Sequence, residues 1–90
     1  MQKWGMIMLS YDISISKNAM KFIQKQTPQN AQRLLSAIKN LPSGNIKPFQ
    51  SEKGFFRLKV GDFRVIYQKN DDRFVICVVK VGNRGDVYKG

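Results

Sequence analysis

The sequence predicts an α+β fold, in which one strand, an antiparallel hairpin of two helices and three further strands build a single small sheet. Three observations carry this. Leu9, Tyr11, Ile13 and Ile15 alternate with polar residues, a period of two. Two segments with three- and four-residue apolar spacing follow. Three β-rich segments come last, divided by the turn signals Gly61-Asp62 and Asn70-Asp71-Asp72. Runs of strand and helix segregated in this way place the helices on one sheet face.

Each element has its own reason. The first strand is expected from about Met8 to Ser14. Ser16 is placed to cap a helix carrying Ala19, Met20, Phe22 and Ile23 on its inner face. Thr27-Pro28 supplies a second cap with proline at the first helical position. Ala31, Leu34, Leu35, Ile38 and Leu41 then recur on one face of the second helix, which Pro42-Ser43-Gly44 stops. Asn45 to Gly54 contains Pro48 and little periodicity, and reads as a loop.

Strands are expected over Phe55–Val60, Phe63–Lys69 and Arg73–Val81, an antiparallel meander. Gly61-Asp62 suits a two-residue hairpin with glycine at its first central position. The last strand, with Phe74 to Val79 apolar on both faces, is expected to be the most buried. Residues 1–90 read as one domain, of which 1–7 form a loose N-terminal extension.

Sixteen Lys and Arg against six Asp and Glu give a formal charge of +10, and the pI is near 10.1. Such an imbalance suits a nucleic-acid binder or a protein held by an acidic partner. Apolar residues make up 42% of the chain, which argues against disorder. The lone Cys77 lies in an apolar run, reads as core packing and fits a reducing cytoplasm. No apolar stretch approaches the ~20 residues of a membrane span, so no membrane partner is expected.

The chemistry is narrowed by what the chain lacks. Without histidine there is no His general base, Ser–His triad or histidine metal site, and one cysteine rules out cysteine-rich zinc sites. No metal and no cofactor are therefore expected. Asp71 and Asp72 sit on a turn, where solvation is their ordinary role. Gly82 to Gly85 lacks the spacing of a phosphate-binding loop. Catalytic groups, if present, must come from Lys, Arg, Tyr or backbone.

The hairpin supplies candidates. Across a two-residue turn, Val60 faces Phe63, Leu58 faces Val65 and Phe56 faces Tyr67, an apolar set directed at the helices. Arg57, Lys59 and Arg64 then project from the opposite face, with Lys59 and Arg64 directly across from one another. Facing like charges destabilise a sheet, and a bound polyanion relieves that cost. Beyond the last strand, Arg84 lies between Gly82 and Gly85, and Tyr88 offers a ring able to stack on a base or to pack against the domain.

The segments Phe56-Arg57-Leu58-Lys59-Val60-Gly61-Asp62-Phe63-Arg64-Val65-Ile66-Tyr67 and Val81-Gly82-Asn83-Arg84-Gly85-Asp86-Val87-Tyr88 resemble the paired signature of RelE/ParE-superfamily toxins. The resemblance spans Met8 to Tyr88. Its RNase branch carries two basic residues before the hairpin, an Arg after it, and an Arg and a Tyr near the C-terminus. Arg57, Lys59, Arg64, Arg84 and Tyr88 match them one by one. One departure is Arg57, where the RNases have Lys; a guanidinium stabilises charge but is a poor base.

The resemblance implies a ribosome-dependent endoribonuclease that cuts translated mRNA by 2′-OH attack on the adjacent phosphate. Lys59 is the candidate base, because the cations Arg57 and Arg64 disfavour its charged form. Arg57 assists, Arg64 clamps the phosphate, Arg84 serves the leaving oxygen and Tyr88 orients the nucleotide. The resemblance also implies a cognate antitoxin, with operator DNA reached only through the antitoxin complex. Two alternatives stay open: a ParE-like DNA gyrase inhibitor without nuclease activity, and a non-toxic antitoxin-binding co-repressor.

Overall fold

The computed structural model describes residues 11–49 and 54–83. They form β1 (Asp12–Ile15), α1 (Lys17–Gln24), α2 (Pro28–Lys39), β2 (Asn45–Pro48), β3 (Phe55–Val60), β4 (Phe63–Asn70) and β5 (Val75–Asn83). The five strands make one sheet in the order β1-β5-β4-β3-β2. β1 runs parallel to β5, and every other neighbouring pair is antiparallel. The α+β prediction holds. The expected Met8–Ser10 portion of the first strand lies outside the described residues.

Both helix starts follow from their caps. The Ser16 hydroxyl accepts the Ala19 N–H at 3.1 Å, and the Thr27 hydroxyl accepts the Asn30 N–H at 3.3 Å, with Pro28 opening the second helix. Ser16 has a second task. Its N–H donates to the Val78 carbonyl at 2.9 Å and its hydroxyl to the Val79 carbonyl at 3.1 Å, fastening α1 to β5. Ser16→Ala removes the cap and the hydroxyl bond together. It is expected to lower stability by about 1–2 kcal/mol in denaturant titration, the upper range for a lost cap.

The helices cover one face of the sheet. Ala19 and Ile23 of α1, and Leu34 and Ile38 of α2, join Leu58, Val65, Tyr67, Ile76, Val78 and Val81 in a single core. Phe22 meets Phe63 edge-on, with centroids 6.0 Å apart, and Tyr67 stacks on Phe56 at 5.7 Å. Burial pushes the Tyr67 phenol up to about 12 from 10.0, because the phenolate loses its hydration there. The folded state therefore holds this proton more tightly than the unfolded chain. Its stabilising contribution is complete below pH 10 and is lost as pH rises toward 12. Tyr67→Phe keeps the ring, and is expected to flatten that part of an alkaline stability curve.

Two sequence-based expectations are corrected. Asn45–Gly54 was expected to be a loop, but Asn45–Pro48 is the edge strand β2, paired with β3 from Asn45↔Lys59 to Pro48↔Phe56. An edge strand has one bonded side, so a proline that donates nothing is tolerated at its end. Four residues are also too few to show a period. The most buried strand is β4, not β5: Phe63 through Tyr67 are all buried, whereas Val79 of β5 is 38% exposed. β4 sits at the centre of the sheet order, and centrality outweighs the greater hydrophobicity of β5.

Candidate functional site: a cationic sheet face

The hairpin that builds the site begins at Gly61, whose φ of +58° lies in the left-handed region open to glycine. This turn sets the register Val60↔Phe63, Leu58↔Val65 and Phe56↔Tyr67, all toward the helices, and Lys59↔Arg64 and Arg57↔Ile66 on the other face. Arg57, Lys59 and Arg64 are thus brought together, as the alternation requires. Arg84 and Tyr88 lie outside the described residues.

Arg64 differs from an ordinary surface cation. It is only 8% exposed. Its Nη1 donates to the Gly61 carbonyl at 3.1 Å and the Phe63 carbonyl at 2.9 Å, so the turn's own backbone holds the guanidinium. No carboxylate among the described residues pairs with it. A guanidinium fork held in place by backbone carbonyls is preorganised to receive an anion. Lys59, directly opposite, is exposed.

Register across four strands adds two residues that sequence reasoning missed. Lys47 of β2 faces Arg57, Arg57 faces Ile66, and Ile66 faces Lys80 of β5. The next rung reads Asn45, Lys59, Arg64 and Gly82. Neither rung contains an acid. Lys47 is hidden in the sequence because its four-residue strand is too short to show a period. Lys80 was hidden by a β-bulge.

The bulge lies opposite Ile66 and Tyr67, which pair with Lys80 and Val78 and leave Val79 as the extra residue. Strict alternation from Ile76 and Val78 would point Lys80 into the core and Val81 outward. The inserted residue reverses the phase, so Val81 is 5% exposed in the core and Lys80 stands on the cationic face. The Val79 carbonyl that Ser16 binds belongs to this bulge. A sequence signal for it did exist: Val78-Val79 followed by Lys80-Val81 breaks the two-residue apolar period.

Comparison with known proteins agrees with the fold. A family model described as the ParE toxin of the type II toxin–antitoxin system, parDE, matches residues 13–88. No curated protein shows a significant match. Among solved structures, the Mycobacterium tuberculosis toxin–antitoxin complex RelBE2 is similar at a TM-score of 0.70 and 18% identity, covering 83% of this chain and 99% of that one. The archaeal RelE–RelB complex from Pyrococcus horikoshii is similar at 0.70 and 25%, covering 84% and 97%. The isolated E. coli RelE toxin is similar at 0.61 and 20%, covering 89% and 93%. With a family model spanning nearly the whole chain, and a helix hairpin packed on a mixed sheet like those of the RelE structures, the chain belongs to the ParE toxin family of type II toxin–antitoxin systems, within the RelE/ParE superfamily.

Proposed function

We propose that this toxin is a ribosome-dependent endoribonuclease that cleaves translated mRNA. The observation that carries the reading is the Lys59–Arg64 pair, two cations opposite one another in register with Arg57 one position along. The pair costs the free sheet stability, and a phosphodiester bound between the two cations neutralises it. Lys59, exposed and directly across from Arg64, takes the 2′-OH proton. The 2′ oxygen attacks the adjacent phosphorus, and the bond to the 5′ oxygen breaks. This leaves a cyclic phosphate and a free 5′-OH.

Arg64 and Arg57 stabilise the charge that builds on the phosphorane oxygens. By family resemblance, Arg84 neutralises the departing oxygen and Tyr88 stacks on the nucleotide. Residues 57, 59 and 64 include no well-matched acid–base pair, so activity on free RNA is expected to be slow; the ribosome supplies the orientation. The formal charge of +10 favours docking on ribosomal RNA in the cytoplasm. An antitoxin of the RelB kind, seen in complexes with the similar toxins, is the expected partner, covering the basic face with acidic or amphipathic segments. Operator DNA is reached only through that complex.

The family description, ParE toxin of parDE, favours a second reading as a gyrase inhibitor. Inducible expression separates the two. Rapid translation arrest with new transcript ends inside translated messages supports the nuclease. Continued translation with intact messages and stalled DNA replication sinks it and promotes the gyrase reading. If the folded protein has no effect on growth, a non-toxic co-repressor is left.

A further inference from the structure

The rung formed by Lys47, Arg57, Ile66 and Lys80 spans four adjacent strands and lies perpendicular to them. Neighbouring strands are about 4.8 Å apart, so the Lys47 and Lys80 backbones stand about 14 Å from one another. Lys47 lies one strand to one side of Arg57, and Lys80 lies two strands to the other. The line of positive charge therefore extends past the reacting position in both directions.

We propose that the RNA strand crosses the sheet perpendicular to its β-strands, with Lys47 and Lys80 gripping the phosphates on either side of the scissile one. The inference rests on the nuclease reading for its substrate, and adds the strand's path and two positioning residues. The path explains why the bulge matters. An unbulged β5 would send Lys80 into the core, and the track would end at Arg64. It also assigns a use to β2, a short edge strand whose Lys47 contributes nothing to the core. Lys47 is exposed and Lys80 half-buried, so Lys80 is the more constrained of the two grips.

The test measures binding of the full chain to a labelled single-stranded oligoribonucleotide made uncleavable by 2′-O-methylation, between about 50 and 200 mM salt. Each phosphate contact on a single strand contributes about 0.7 to the slope of log affinity against log salt. Lys47→Ala and Lys80→Ala are each expected to lower the slope by about 0.7, and the double variant by about 1.4, with similar losses on unrelated sequences. Arginine at either position restores the slope. Lys25→Ala, on the helix side of the molecule, is the control and leaves it unchanged.

Unchanged slopes in the Lys47 and Lys80 variants, or an equal fall in the Lys25 control, overturn the track while leaving the nuclease reading in place. A slope that depends on Lys47 and Lys80, in a protein that cuts no message in cells, keeps the track and removes the nuclease. Absence of any oligoribonucleotide binding by the unaltered chain overturns the track, while the nuclease reading, whose RNA is presented by the ribosome, stands or falls with message cleavage in cells.

Discussion

Replacing Arg64 and Arg84 together by alanine is expected to abolish translation arrest and internal message cleavage while leaving a folded protein. Removal of one preorganised charge donor from a reaction of this kind costs about 10²–10³ in rate. On the proposed mechanism both donors act on one phosphorane, and the variant is expected to fall close to background, because residues that work as a unit leave little when broken. On the same mechanism the larger share is expected from Arg64, because two backbone carbonyls, at 3.1 and 2.9 Å, already hold its guanidinium. Lysine cannot reproduce a planar fork that binds carbonyls and phosphate at once, so Arg64→Lys is expected to recover only a small part of the activity.

The measurement pairs transcript-end mapping with thermal unfolding of the same variants. Arg64→Ala relieves the repulsion opposite Lys59 but frees the two turn carbonyls that the guanidinium held, so its melting temperature should fall by only a few degrees. A variant that melts normally and still cleaves would remove Arg64 from the chemistry. One that is inactive only because it is unfolded would show itself in the melt, and the milder Arg64→Lys then carries the test.

The largest stability effect is expected at Tyr67, at the centre of β4. The ring is 1% exposed, stacks on Phe56 at 5.7 Å and joins the core that both helices cover. Emptying a site of this size costs about 3–5 kcal/mol, the transfer of the ring plus the cavity left behind. A domain this small has about 5–15 kcal/mol in total. At about 4–8 °C per kcal/mol, Tyr67→Ala is expected to lower the melting temperature by on the order of 20 °C. A fall of only a few degrees would mean that Phe56 and the helices collapse into the space. Tyr67→Phe separates ring from hydroxyl, since it keeps the packing and should lose only the alkaline titration.

Much of the fold was legible because its signals are local. Ser16 and Thr27-Pro28 announce helix starts through bonds made three residues away. Gly61 announces the hairpin because few other residues accept its backbone angle. Once that turn is known, period-two alternation assigns Arg57, Lys59 and Arg64 to one face without further information. The same argument failed at Asn45–Pro48, where a four-residue edge strand borrows its order from β3. It failed again for the burial of β5, since position in the sheet is set by pairing and not by composition.

The sequence by itself determined the α+β class, the two capped helices, the hairpin register and the charged trio at residues 57, 59 and 64. Each follows from interactions within a few residues or across one tight turn. Only the tertiary structure decided which strand is central, that Arg64 is buried against the turn's carbonyls, and that Lys47 and Lys80 share a rung with Arg57. These depend on which segments pair and where one residue is inserted. A single extra residue at Val79 moves Lys80 from the core to the cationic face, because side chains along a strand alternate and an insertion reverses every one that follows.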